Sequence, residues 1–372
     1  MIIGVPKERR EPEARVAASP ETVGRLVALG QQVWIERGAG AGSLWSDAEY
    51  QQKGATLVEA EEIWERADIV LKVQRPTDAE MPLLRHGQVL VGMLDPYPNR
   101  AQVAAYAERG VTAFALELLP RTTRAQAMDV LSSQANLAGF RAMLEAMTAY
   151  RRVVPMMMTA AGTVTPAKVF VIGAGVAGLQ AIATARRMGA VVSATDVRPA
   201  AKQEIESLGA RFVGYIPEDA ATAGGYARPL TAEELERQRQ VLADHIRSQD
   251  IVVTTAQVPG RPAPRIVTAG MVRSMKPGAV ILDMAVESGG NVEGSRPGET
   301  VEMDGVTILG PRNLPSRVAP TASQLYAKNL LNFLSLLVPE GANEVHIDTN
   351  DELVAATLLT RGGSIVHPNF QS

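Results

Sequence analysis

Short apolar runs alternate along the chain with longer stretches in which apolar residues recur every three or four positions. In the first part the runs are Ile2–Val5, Gln32–Ile35, Ile69–Val73, Val89–Met93 and Thr112–Leu116, and they read as strands. The patterns Glu21–Leu29 and Ala101–Glu108 between them have the helical period. Ser19-Pro20-Glu21 opens the first of these with an N-cap residue, a proline at the first helical position and an early carboxylate. Such alternation predicts βαβ units and a mainly parallel sheet.

A second alternating block runs from about Ala167 to Leu309. Its expected strands are Lys168–Ile172, Val191–Thr195, Arg211–Val213, Ile251–Thr255, Ala279–Met284 and Thr307–Leu309. Two long helical patterns, Ser132–Tyr150 and Thr321–Leu337, flank the block without strand partners of their own. The predicted fold is α/β, with two Rossmann-like doubly wound domains joined by long helices. Residues 1–130 with 325–372 would form a discontinuous first domain and 131–324 the second, with a ligand cleft between them.

Gly214–Leu230, GYIPEDAATAGGYARPL, departs from this rhythm: it has no usable period, a glycine pair and two prolines. A loop this long inside a domain is either functional or an ordinary surface excursion. Thr231 to Glu234 then forms a capping box for the next helix.

Composition narrows the chemistry. The 372 residues suit two domains at about 150 residues each, and 46% hydrophobic with 21% charged residues is globular. Thirty-seven basic against forty acidic side chains leave a net charge of −3, without the basic excess of a nucleic-acid binder. The absence of cysteine removes disulfides, thiolate nucleophiles and cysteine-type zinc sites. The four histidines, His86, His245, His346 and His367, form no local metal motif. The N-terminus does not resemble a signal peptide, and no run approaches the roughly 18–20 apolar residues of a membrane span. The nearest candidate, Asn329 to Pro339, is interrupted by Asn332 and Ser335. These features predict a soluble, cytoplasmic protein.

Residues 168–180, KVFVIGAGVAGLQ, carry the chemistry. Gly173, Gly175 and Gly178 form G-x-G-x-x-G between an apolar strand and a helical run. The first glycine permits the tight turn, the second admits a pyrophosphate to the backbone, and the third lets helix and strand pack closely. The phosphate charge is then placed at a helix N-terminus. A second strand ends in Asp196, 23 residues after Gly173. An acid there bonds the adenosine ribose hydroxyls and repels a 2′-phosphate, which favours NAD over NADP, although Arg198 nearby could accommodate the extra phosphate. Asp283 and Glu287 in ILDMAVESGG lie at a ligand-binding sheet edge, and each is equally well explained as a helix cap or a solvated carboxylate.

Taken with these motifs, several longer stretches extend the pattern: RTTRAQAMDVLSSQANLAGFRA (121–142), VIGAGVAGLQAIATARRMGAVVSATDVRP (171–199), TAGGYARPL (222–230), MKPGAVILDMAVESGGN (275–291) and NLPSRVAPTASQLYAKNLLNFL (313–334). Through them, essentially from Met1 to the end, the chain resembles the NAD(H)-binding component of the proton-translocating nicotinamide nucleotide transhydrogenases. It is similar, more distantly, to the alanine dehydrogenases. The transhydrogenase resemblance implies that Arg121, Asp129 and Ser132 hold the nicotinamide carboxamide, that Gln126 contacts the nicotinamide end, and that Tyr226 belongs to a loop closing over bound nucleotide. An ion pair of Arg121 with Asp129 is the structural alternative. Ala174, Val176, Val197 and Gln257 complete the expected NAD(H)-binding set. Further implications are a homodimer, an NADP(H)-binding domain and a membrane-spanning subunit as partners, peripheral attachment through them, and a Re/Si-specific hydride exchange between NAD(H) and NADP(H).

Alanine dehydrogenases need a histidine and an aspartate for proton transfer. Arg15 and Lys72 match that family's substrate cations, but Asp95 stands about where the histidine is expected and Glu287 about where the aspartate is. Amino-acid oxidation is the alternative function, and a non-catalytic NAD(H)-sensing module is the third.

Overall fold

A computed structural model describes residues 1–215, 231–258 and 260–371. The chain divides into two compact units, Met1–Gln134 with Pro315–Ser372, and Ala135–Leu314. Residues 315–324, which the sequence reading places in the second domain, group instead with the first unit. Ser316 Oγ accepts from the Ala14 N–H at 2.7 Å and Ser323 Oγ from the Val16 N–H at 3.0 Å, which ties this stretch to the N-terminal segment.

The first unit holds an eight-stranded sheet. Its spatial order is Ser364–Ile365, Leu358–Arg361, Thr112–Ala115, Val89–Met93, Ile69–Gln74, Ile2–Val5, Gln32–Glu36, Thr56–Val58. The six strands from Thr112–Ala115 onward are parallel, and the two C-terminal strands add antiparallel at one edge. Successive residues alternate between two cores, Ile69 and Leu71 in one and Val70 in the other. Burial on both faces explains why these strands read as apolar-rich runs rather than as an alternation, with Lys72 the interruption inside Ile69–Gln74. The helix Pro20–Ala28 starts as its sequence signals: Ser19 Oγ accepts from the Thr22 N–H, and Thr22 answers through the Ser19 N–H.

The second unit holds a seven-stranded sheet in the order Arg211–Phe212, Val191–Thr195, Lys168–Ile172, Ile251–Thr254, Val280–Asp283, Val306–Leu309, Thr300–Met303, with only the last strand antiparallel. Val169 and Val171 face one core with Ala181, Ile182 and Ala185 of the helix Val176–Arg187, while Phe170 and Ile172 face the other. Strand order reverses between Lys168–Ile172 and Ile251–Thr254, which creates the crevice where doubly wound sheets bind ligands. A separate hairpin, Met157–Thr159 with Gly162–Val164, pairs with neither sheet.

The helix Val130–Ala149 carries the chain from the first unit into the second, and Ala319–Leu337 packs in the first. Thr231 caps Ala232–Ile246 as its capping box predicts.

Candidate dinucleotide site

The turn after Lys168–Ile172 has the form the three glycines require. Gly173 adopts φ +100°, and a Cβ there would lie 2.5 Å from Thr255 Oγ1. A Cβ on Gly178 would lie 1.8 Å from the Gly173 carbonyl oxygen, so helix and turn meet only without a side chain. At Gly175 a Cβ would meet nothing within 4 Å. That open backbone precedes Val176–Arg187, whose N-terminus has no side-chain cap, so its first N–H groups are available to an anion. The residues present therefore fit a dinucleotide pyrophosphate.

Asp196, at the end of the neighbouring strand, accepts the Ala174 N–H on Oδ2 at 2.7 Å and the Arg198 N–H on Oδ1 at 2.8 Å. The Arg198 guanidinium donates back to Asp196 at 3.0 Å and to the Ala174 carbonyl at 2.9 Å. Arg198 is thus engaged by Asp196, while Val197 between them is 77% exposed. Across the switch point, Thr255 Oγ1 donates to the Gly173 carbonyl at 3.1 Å. Asn291 brackets Ala256 by accepting its N–H at 3.0 Å and donating to its carbonyl at 2.8 Å. Gln257 is exposed, with its amide 3.4 Å from the Met284 carbonyl. Sequence reasoning missed Thr255 and Asn291 as supports of the turn. The polar residues closing the apolar strand and the GGN triplet were the available signals.

Gly173, Ala174, Gly175, Val176, Gly178, Asp196, Val197, Arg198 and Gln257 thus share the C-terminal end of one sheet. Tyr226, with most of the Gly214–Leu230 stretch, lies outside the described residues. Asp283 is a structural residue. Fully buried, it accepts from Thr254 Oγ1, the Ala285 and Val292 N–H groups and Ser295 Oγ at 2.7–3.1 Å. Glu287 accepts the Asn313 N–H at 2.9 Å and pairs with Arg312 at 3.4 Å.

Arg121, Gln126, Asp129 and Ser132 lie together on one segment of the first unit. Asp129 accepts both the N–H (2.9 Å) and the Oγ–H (2.6 Å) of Ser132, an N-cap arrangement at the start of Val130–Ala149. Arg121 and Gln126 are exposed, and among the described residues no side-chain hydrogen bond or ion pair holds either. The alternative ion pair of Arg121 with Asp129 is not formed.

The other cations of this unit are internal. Lys72 is fully buried, 2.9 Å from Glu80 and 3.4 Å from Glu8. Arg15 lays its fork on Glu13 and bonds Gln134 at 2.8 Å. Gln74, nearer the strand end than Lys72, donates to Glu13 at 2.6 Å. Asp95 accepts from the Asn99 amide at 3.1 Å, and its own N–H is held by Glu117. Burial pushes the enclosed Glu117 carboxyl up to about 7 against the pull of the backbone N–H groups around it.

A doubly wound sheet whose first strand ends in this turn, with an acid closing the second strand, defines a dinucleotide-binding Rossmann domain. The model of the alanine dehydrogenase/PNT N-terminal domain matches residues 4–138, and that of the alanine dehydrogenase/PNT C-terminal domain matches residues 142–368. The chain belongs to the alanine dehydrogenase/PNT family. The first part of the NAD(P) transhydrogenase subunit alpha of Rhodospirillum rubrum is 50% identical over 377 residues, covering 99% of this chain and 98% of that protein. Alanine dehydrogenase of Mycobacterium tuberculosis is 34% identical over 355 residues, covering 92% and 88%. The crystal structure of transhydrogenase from Sinorhizobium meliloti matches with a TM-score of 0.90 at 52% identity, covering 98% of this chain and 100% of that one. An L-alanine dehydrogenase structure matches at 0.81 and 30% identity, covering 100% and 98%.

Proposed function

We propose that this chain is the NAD(H)-binding subunit of a proton-translocating transhydrogenase, and that it exchanges a hydride with NADP(H) held by a partner domain. The glycine turn and the uncapped helix N-terminus bind the pyrophosphate, and Asp196 takes the adenosine ribose with Arg198 turned onto it. Arg121, Asp129 and Ser132 hold the carboxamide, and Gln126 contacts the nicotinamide end. Reduced nicotinamide supplies hydride from its C4 to C4 of the oxidised partner ring, so NADH and NADP⁺ become NAD⁺ and NADPH. No side chain gives or takes a proton in that step. The protein contributes orientation, proximity and exclusion of water.

The observation that carries this reading is the placement of the groups that could move protons. Oxidation of an amino acid requires a base beside the substrate amine. His245 bonds Ser193 at 2.8 Å within the second unit, and His367 bonds the Ala356 carbonyl at 3.1 Å. Asp95 and Glu287 are engaged by backbone and side-chain neighbours, and Lys72 is enclosed between carboxylates. The 50% identity to a protein named as a transhydrogenase subunit, against 34% to an alanine dehydrogenase, supports the same choice.

In this reading the membrane-crossing and NADP(H)-binding parts are other subunits or domains of the same enzyme, which give the chain its peripheral place at the membrane. No described helix is long and apolar enough to cross a membrane. The reading includes a homodimer, supported by the hairpin at Met157–Val164, where Met157 is 46% and Met158 79% exposed. Incubating the purified chain with L-alanine and NAD⁺ separates the two enzyme classes. Transhydrogenation predicts no alanine-dependent NADH, whereas its appearance would reassign the chain to amino-acid oxidation.

A further inference from the structure

The helix Ala319–Leu337 is largely apolar, and Tyr326, Leu330, Phe333, Leu334 and Leu337 are buried in the core of the first unit. Asn329 and Asn332 interrupt it. Asparagine is a poor helix former, and a buried amide must be hydrogen-bonded, so each needs a partner that explains it. The two residues are three apart and therefore neighbours on one helix face. Both Nδ2 groups donate to the same acceptor, the Ala127 carbonyl, each at 2.9 Å. A carbonyl oxygen has two lone pairs, and this pair of donors satisfies both. Asn329, only 7% exposed, is itself fixed by Ser133, whose hydroxyl donates to its Oδ1 at 2.7 Å.

Ala127 adjoins Gln126. Elsewhere the segment is pinned by the buried side chains of Ala125 and Met128 and by Arg124, whose Nη1 donates to Asp351 at 3.0 Å. Its main chain is held at several points while the Gln126 and Arg121 side chains stay exposed and unpartnered among the described residues. Sidedness of this kind suits a main chain that serves as a mount for side chains that work outside the protein.

We infer that Asn329 and Asn332 are positioning residues: by gripping the Ala127 carbonyl they set the main chain from which Gln126 reaches the nicotinamide end. The inference rests on the transhydrogenase reading given to Gln126. Where catalysis is proximity and orientation, a displacement of about 1 Å can cost on the order of a hundredfold in rate. The grip therefore governs the hydride step, whereas nucleotide affinity depends chiefly on the glycine turn and Asp196.

Asn332 is partly exposed, so its variants fold. The test compares Asn332→Ala, Asn332→Asp and Asn332→Gln with the unaltered chain in single-turnover hydride transfer, using saturating NADH and an NADP(H)-binding transhydrogenase domain. Asn332→Ala lowers the rate about tenfold, an intermediate displacement on that scale. Asn332→Asp, whose carboxylate faces the carbonyl oxygen, lowers it further, and Asn332→Gln, which keeps an amide donor, restores part of it. The NADH Kd and the melting temperature stay near those of the unaltered chain. Hydrogen exchange at the Thr122–Asp129 amides, measured without nucleotide, quickens in Asn332→Ala. Unchanged transfer and exchange in the alanine and aspartate variants would overturn the inference, as would a loss of NADH affinity parallel to the loss of rate. If the unaltered chain fails to transfer hydride with the partner while exchange still quickens in Asn332→Ala, the grip stands and the transhydrogenase reading falls.

Discussion

Asp196 accepts the backbone N–H of Ala174 at 2.7 Å, so the acid at the end of one strand holds the middle of the glycine turn that follows its neighbour. The residue proposed to select the ribose is thereby also a support of the loop proposed to take the pyrophosphate. Replacing Asp196 with Asn keeps an acceptor for Ala174 but removes the charge facing Arg198. The variant should bind NADH about tenfold more weakly, the scale of about 1.4 kcal/mol lost from a charge-assisted hydrogen bond. NADPH affinity should rise as Arg198 is released. Titration calorimetry with both nucleotides reads the ratio, and an unchanged ratio would remove Asp196 from nucleotide selection.

The glycines of the turn differ in what they tolerate. Gly178→Ala drives a Cβ against the Gly173 carbonyl, where backbone rather than a flexible side chain must give way. It should cost about 3 kcal/mol of stability, at the upper end of overpacking effects. Gly175→Ala meets no protein atom and should leave the melting temperature nearly unchanged while weakening NADH binding, because the added methyl occupies the pyrophosphate's approach. Melting curves and NADH titrations on the two variants should therefore separate fold from site.

Lys72 lies fully buried between Glu8 and Glu80. Lys72→Met leaves two enclosed carboxylates without their cation and should destabilise the fold by about 3–5 kcal/mol. Urea unfolding checks the value. An unaffected midpoint combined with altered alanine-dependent activity would mean that Lys72 serves a substrate instead.

Glu117 carries a pH signature. Its folded value, pushed up to about 7 chiefly by burial, lies above the roughly 4.3 of an unfolded glutamate, so the fold favours the protonated form. Its contribution to stability is complete below about pH 4.3 and is lost as pH rises through about 7. Glu117→Gln keeps an acceptor for the Asp95 N–H and stays neutral. Its urea midpoint should gain on the unaltered chain between pH 5 and pH 8, and a parallel decline of both proteins would show that Glu117 is not the group responsible.

Strands buried on both faces were legible in sequence because their runs are short and rich in apolar residues. Ile2–Val5, Val89–Met93, Lys168–Ile172 and Val191–Thr195 agree with their expected limits residue for residue. Strands outside that regime were missed. Thr300–Met303 is an edge strand with alternating exposure, and the Met157–Val164 hairpin is exposed throughout, so neither imprints a core pattern. Leu358–Arg361 pairs with Thr112–Ala115, and no local period reveals so distant a partner. The site divides in the same way. The glycine turn is local and readable, whereas Asp283 became a structural residue only once Val292 and Ser295 were seen to converge on it. Asn332 was visible as a break in an apolar helix, but its partner Ala127 lies 205 positions away in the chain.

The most direct measurement is hydride transfer from NADH to an acetylpyridine or thionicotinamide analogue of NADP⁺, by the purified chain with and without an NADP(H)-binding transhydrogenase domain. Transfer that appears only with that domain, and falls at least tenfold in Gln126→Ala with little change in NADH affinity, is the predicted result, since a contact that orients the ring for transfer lowers rate more than binding. Transfer by the chain alone, no transfer with the partner, or full activity without the Gln126 amide would contradict the account.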